Sequence, residues 1–211
     1  MMKPFLFSSC LALATFPSAH AAVMIVPDSI HEVSSFFSPE YKPQNTINGS
    51  GLPGDYSASS IHAAYSNTGG GNHWTSAADT QPLDQFITFA FNTAQDLTSF
   101  VMWNHQSNGG ISTNSGYDVT LFDLTFYAAD GTTVLFTLND LAAQPDTASG
   151  QVFNFSVVEG VSLVRFDIEG VQGSNDYTGL GEVAFMAVPE PGAAMLGVMA
   201  LAGSVMRRRR N

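Results

Sequence analysis

Phe86-Ile87-Thr88-Phe89-Ala90-Phe91 places large apolar side chains at 87, 89 and 91. A repeat of two is the spacing of a strand with one buried face, since successive side chains point to opposite sides of the backbone. Moving outward, Phe100-Val101-Met102-Trp103 is apolar in both phases, which predicts a strand covered on both faces. Val119 and Leu121 share one phase, and Leu124 and Phe126 share the other. That switch around Asp123 predicts a bulge or a strand changing sheet face. Asp130-Gly131 is a tight-turn signal, and Val134, Phe136 and Leu138 alternate after it. Phe153, Phe155 and Val157 form a further strand. Val164, Phe166 and Ile168 form another, with Arg165 and Asp167 on its opposite face, and Val183, Phe185 and Ala187 close the series. Residues 22–27 add an edge strand. Strands at this spacing, with no helical period between them, predict an all-β domain of two packed antiparallel sheets.

The two ends read differently. Met1-Met2-Lys3 is a short basic start, residues 5–16 are mostly apolar, and Ala19-His20-Ala21 has the small-x-small pattern after which signal peptidase cuts. Ala21 and Ala22 therefore flank the expected cleavage point. At the other end Val188-Pro189-Glu190-Pro191-Gly192 precedes an apolar run over 193–206 and then Arg207-Arg208-Arg209-Arg210. Arginines so placed stay on the cytoplasmic side, and the run is shorter than the roughly 20 residues of a comfortable span. This tail resembles the PEP-CTERM sorting signal of Gram-negative bacteria, whose tripeptide is Pro189-Glu190-Pro191. The resemblance implies a hydrophobic helix that anchors the chain transiently in the inner membrane. It also implies cleavage among Val188, Pro189, Glu190 and Pro191 by an exosortase-type membrane protease, followed by display on the surface or secretion. Because such proteins commonly accompany exopolysaccharide loci, a role in biofilm matrix follows from the same resemblance. The expected layout is a signal peptide with its helix over 1–21, a domain over 22–188 and the sorting signal over 189–211. An ordinary permanent anchor is the alternative.

Cys10 is the only cysteine and leaves with the signal peptide, so the exported domain holds together without a disulfide. About 165 residues remain, enough for one domain with a proper core. Between 22 and 188 the acidic residues number 17 of the chain's 18, and the basic ones are Lys42 and Arg165, a formal charge of about −15. Nucleic acid is excluded as a ligand by the lack of cations to neutralise phosphates. Anionic polysaccharide is repelled unless divalent cations bridge the surfaces. Calcium, neutral glycans and basic proteins remain as partners; the acidity also serves plain solubility.

Three stretches of the middle carry a second resemblance. Pro43-Gln44-Asn45-Thr46-Ile47-Asn48-Gly49, the strands of 86–91 and 97–104, and Tyr177-Thr178-Gly179-Leu180-Gly181-Glu182-Val183-Ala184-Phe185 are similar to the discoidin, or factor 5/8 type C, group of galactose-binding-like jelly rolls. That resemblance implies a jelly-roll β-sandwich that binds carbohydrate without catalysis. It also implies a structural calcium held by Asn48 and Glu182 with carbonyls near Ile47 and Gly49. Hard oxygen ligands suit that ion. Asn48 stands where the family has Asp, and an insertion over 50–72 follows it, so Asp55 or Asp79 would have to restore the missing charge. The alternative is an exposed Glu182 on a strand and a simple turn at Asn48-Gly49.

Two polar, glycine-rich loops, 48–72 and 106–116, are long enough to be functional. Trp74, with Tyr177, Tyr56 and Tyr65, is the candidate sugar-stacking surface at the loop end; the competing role for Trp74 is core. His31, His62, His73 and His105 lack zinc-site spacing and read as structural or surface residues. There is no Gly-x-Ser-x-Gly elbow and no mature cysteine for nucleophilic catalysis. A hydrolase using two of the many carboxylates, or a purely structural surface protein, stands as the alternative to a carbohydrate-binding module.

Overall fold

Among the described residues there are eight strands: β1 Val23–Ile25, β2 Ser29–Val33, β3 Trp74–Thr75, β4 Phe86–Asn104, β5 Val119–Tyr127, β6 Val134–Ala142, β7 Gln151–Val171 and β8 Gly179–Ala187. The structure, a computed structural model, describes residues 21–63, 71–77, 82–105, 116–174 and 176–189. The expected signal helix and hydrophobic tail helix lie outside those residues. Among the described residues no helix is long and apolar enough to cross a membrane.

The pairs these strands form are antiparallel, and two long strands hold the architecture together. The sequence reads as separate strands at 87–91 and 100–103; the structure joins them in β4. It likewise joins 153–157 and 164–168 in β7. Each bends where its register slips, between Ala90 and Ser99 in β4 and around Gly160 in β7. The first half of β4 lies between β2 and the second half of β7, continuing through β5 to β6. The second half of β4 lies between β8 and the first half of β7, with β1 and β3 on the far side of β8. The continuous sheet therefore doubles back into two layers, a β-sandwich. Both bends meet at one end, where the Gly160 N–H donates to the Asp96 carboxylate at 2.9 Å.

Phenylalanines fill the space between the layers. Phe100 of one layer lies 5.7 and 5.8 Å from Phe122 and Phe166 of the other, and 5.2 Å from Phe185 beside it. Offset and edge contacts at such distances add to the gain from apolar burial. The apolar stretch at 100–103 is buried on both faces, as its composition predicts: Phe100 and Met102 face the main core, whereas Val101 and Trp103 face outward under a cover. That cover is the early loop. Leu52, Tyr56 and Ala58 pack on Trp103 and Ala184, and the Trp103 indole N–H donates to the Ser60 carbonyl at 2.9 Å. The described part of the 48–72 loop is thus a packed flap on the outer face of the second layer.

The phase switch in β5 is also present. Val119, Phe122, Leu124 and Phe126 are buried, with register slips on both sides of Phe122. Opposite it, Asp140 takes a positive φ of 57° and its N–H donates to Asp123 Oδ1 at 2.8 Å. The Asp130-Gly131 turn forms as read, with Asp130 Oδ1 accepting from the amides of Thr132 and Thr133. Two features differ from expectation. β6 is an edge strand whose apolar residues stay largely open, Val134 at 53% and Phe136 at 39% exposure. Strand β2 is legible only in the structure, because Ile30 and Val33 are spaced by three across a bulge.

Candidate functional site

The residues singled out in the sequence fall into three neighbouring places on and beside β8. Glu182 lies on β8 opposite Trp103 and is fully buried, which removes the exposed-carboxylate alternative. Its Oε2 accepts a hydrogen bond of 2.8 Å from the Tyr56 hydroxyl, delivered by the flap. Its Oε1 has no hydrogen-bond partner. Burial pushes the carboxyl up to about 7, against the opposing pull of Tyr56 and of the amides of Gly49, Gly51 and Ser50. Burial and the facing Glu182 charge also raise the Tyr56 phenol strongly.

The hydrogen bonds around Glu182 come from the flap. The groups facing the carboxylate are N–H and O–H donors, whereas calcium takes six to eight oxygens. The Asn48 side-chain oxygen accepts from Ser50 N–H at 2.8 Å, and its amide nitrogen donates to the Gly71 carbonyl at 3.1 Å. The Gly49 carbonyl accepts from Leu52 N–H. Asp55 is exposed and Asp79 lies outside the described residues. Among the described residues no three His, Cys, Asp or Glu side chains form a metal-holding group. Tyr56 and Glu182 thus form a hydrogen-bonded clasp between flap and sheet, while Asn48 is hydrogen-bonded to Ser50 and Gly71.

Beyond the clasp the chain gathers three histidines that its sequence scatters. His62, His73 and His105 are all buried, whereas His31 is exposed. A Cβ on Gly51 would overlap the His62 ring, and one on Gly179 would overlap His105 and the Trp74 carbonyl, so both positions require glycine. Burial lowers all three imidazoles, and repulsion from the neighbouring histidines adds to it at His73, pushed down to about 3, and at His105. Thr75 Oγ1 lies 3.0 Å from His105 Nε2.

His73 and His105 are two members of a closed ring of six aromatic side chains at the end of the sandwich away from the bends. Centroids run Phe37–Tyr41 5.8 Å, Tyr41–His73 5.1 Å, His73–His105 4.8 Å, His105–Tyr117 5.5 Å, Tyr117–Tyr177 5.2 Å and Tyr177–Phe37 5.8 Å. Buried polar groups hold the ring in place. The Asn45 amide donates to the carbonyls of Glu40 and His73, Phe37 N–H donates to the Thr75 carbonyl, and Thr178 Oγ1 donates to the Tyr117 carbonyl. The histidines and Tyr117 form the buried side. Phe37 is 52% exposed, and Tyr41 and Tyr177 are half-buried, so these three form an open apolar surface.

The two aromatic candidates for sugar stacking part company in this geometry. Trp74 lies in the core with no exposed surface, and its indole N–H donates to the Ser35 carbonyl at 2.9 Å. It offers no face to a sugar, so its stacking role is corrected to core. Tyr177 does lie on an open surface, beside Phe37 and Tyr41, which the sequence pattern does not single out. Tyr65 and most of 106–116 lie outside the described residues. Of the processing residues, Ala21, Ala22 and Pro189 are exposed and Val188 is half-buried; Glu190 and Pro191 lie outside the described residues.

No protein-family model and no curated protein matches the sequence. Among solved structures the chain is similar to the F5/8 type C domain of a Bacteroides fragilis protein, with TM-score 0.50 and 13% identity over 82% of this chain and 100% of that one. The chain has the discoidin-type fold. A second similar structure is CBM32-5 of CpGH89 from Clostridium perfringens, in complex with GalNAc-β-1,3-galactose, with TM-score 0.50, 13% identity and coverage of 78% and 99%.

Proposed function

We propose that residues 22–188 form an exported, non-catalytic carbohydrate-binding domain whose ligand surface is the open patch of Phe37, Tyr41 and Tyr177. The observation that carries this reading is the patch itself. Three aromatic faces are held open by a buried polar scaffold, on the fold of a module that is complexed with a disaccharide. Aromatic faces stack on the C–H faces of pyranose rings, and isolated apolar clusters of this kind mark binding surfaces. Glycan-array binding by the purified protein, repeated with Tyr177→Ala, tests it. Sugar-selective binding that is lost in the variant while the circular dichroism spectrum is kept supports the reading. An array with no selective signal removes it, and turnover of a bound glycan would favour the hydrolase alternative.

The proposal extends to the ends of the chain. Signal peptidase cuts between Ala21 and Ala22, and an exosortase-type protease reads Pro189-Glu190-Pro191, so that the domain is anchored transiently in the inner membrane and then displayed outside, in a polysaccharide-rich matrix. The alternation of basic, apolar and motif segments supports this. Mass spectrometry of secreted protein should find Ala22 first and no Arg207–Arg210. A secreted form that keeps the four arginines refutes sorting by cleavage.

A further inference from the structure

We infer that the glycan bound at the patch carries free amino groups, as in a partly or fully N-deacetylated hexosamine polymer; this rests on the carbohydrate-binding reading above and names its ligand class. Stacking on Phe37, Tyr41 and Tyr177 uses the apolar sugar face that neutral and charged sugars share, so the charges around the rings decide between them. Two of the patch tyrosines have an exposed carboxylate as chain neighbour: Asp176 precedes Tyr177, and Glu40 precedes Tyr41 in the turn Pro39–Tyr41. Burial chiefly, then Tyr177 and the Asp176 charge, raise the phenol of Tyr117, which lies against Tyr177.

The positive charges are few and mostly elsewhere. Lys42 and Arg165 are the only Lys or Arg between 22 and 188. Arg165 lies on the outer face of the other layer, bonded to Asp167 at 2.8 and 3.0 Å and seated over the Phe86 ring at 3.6 Å. Lys42 follows Tyr41 at the patch end, two residues from Glu40 in the chain. The His73 and His105 rings beneath the patch are held neutral by burial. No guanidinium is therefore available at the patch to grip a uronate or a sulfate. The domain's charge of about −15 adds a field that repels anionic sugars, leaves neutral ones unaffected and attracts ammonium groups within a screening length of about 8–10 Å. The geometry offers an ammonium sugar an apolar face under its ring and a carboxylate beside it.

The test titrates the full chain, purified in a neutral detergent, with fully acetylated and fully deacetylated chito-oligosaccharides and with oligogalacturonate of equal length. At about 0.02 M salt the deacetylated oligomer should bind about ten-fold tighter than the acetylated one. The advantage should fall to about two-fold at about 0.5 M, where screening shortens to roughly 4–5 Å. Asp176→Asn should cut the advantage several-fold and leave the acetylated affinity unchanged, while Tyr177→Ala should remove both. Equal affinity for the acetylated oligomer, or tighter binding of oligogalacturonate, overturns the inference and leaves the carbohydrate-binding reading standing. Deacetylated binding that survives Tyr177→Ala also overturns it, because the attraction would then be diffuse. Absence of binding by all three oligomers overturns this inference, and the glycan array then decides separately whether the carbohydrate-binding reading stands.

Discussion

Replacing Glu182 by glutamine removes one ionisation from the interior and keeps an oxygen for the Tyr56 hydroxyl. The folded-state carboxyl is raised from 4.5 to about 7, chiefly by burial. A group raised on folding contributes stability that is fully present below its unfolded value and is lost as pH rises through its folded value. At 1.36 kcal/mol per unit the full swing is about 3.4 kcal/mol. Integrated between roughly pH 5.5 and 8.5 it is about 2 kcal/mol. The wild type should therefore lose about 2 kcal/mol more than Glu182→Gln over that interval, read from urea melts at the two pH values. Comparing the two proteins cancels every other titrating group. Calcium in millimolar excess should leave the alkaline melt of the wild type unchanged, because the pocket presents donors rather than oxygens. Parallel pH profiles for the two proteins refute the buried-clasp argument, and a calcium-dependent gain at alkaline pH refutes the preference for a proton.

The acid limb runs the other way. His73 is held near 3 against 6.5 unfolded, so the unfolded chain takes up protons first and stability falls with pH, by about 2 kcal/mol at pH 5 from His73 alone. Because Glu182 offsets this in the wild type, the loss should be read in the Glu182→Gln background; a melt equal at about pH 7 and 5 there would contradict the neutral His cluster. Trp74→Ala should cost about 3–5 kcal/mol in a denaturant melt, as for other buried aromatics; a cost below about 1 kcal/mol would return Trp74 to the surface.

The strands were legible wherever one face is buried, because period-two alternation is the direct imprint of a half-buried sheet. Ile87, Phe89 and Phe91 show it, and so does the both-phase burial of 100–103. That adjacent runs were halves of one bent strand was not legible, since the bends at 91–97 and 158–162 are mixed polar and apolar segments that read as loops. β2 was hidden by a bulge that breaks the period. Of the candidate site, Glu182 and Tyr177 stood out through the closing-strand pattern. The glycines of that pattern have a local cause, since Gly179 sits under His105 and Gly181 against the carbonyls of Trp103 and Asn104. The histidine cluster was invisible because its members are 11, 32 and 43 positions apart and meet only through β3, β4 and the flap. Phe37 and Tyr41 were hidden for the same reason: nothing local distinguishes an aromatic side chain in a turn from one in a core.

Strand β8 ties these features into one functional argument. It begins two residues after Tyr177 and ends one residue before Val188, and nine residues of extended chain span about 30 Å. Asn104 pairs near its start and Leu97 near its end, so Tyr177 lies at the patch end while Val188, whose N–H donates to the Asp96 carbonyl at 2.8 Å, lies at the end with the bends. Val23 pairs with Ala187, which brings the start of the domain to that same end. Both sites at which the proposed proteases act are thus grouped opposite the open aromatic surface. Cleavage at either site requires local access to an exposed terminus and no disturbance of the patch. A ligand held at Phe37, Tyr41 and Tyr177 is in turn carried on the face farthest from Val188. Midway along the same strand, Glu182 fastens the flap to the sheet, so a loss of that clasp loosens the cover over Trp103 before it reaches the rings at the strand's start. On this arrangement, processing, stability and binding are separable by mutation, and Glu182→Gln, which acts between the two ends, should change melting behaviour while leaving glycan affinity and N-terminal processing as they are. A Glu182→Gln protein that folds, melts normally and yet loses glycan binding would show that the flap, rather than the aromatic ring, forms the binding surface.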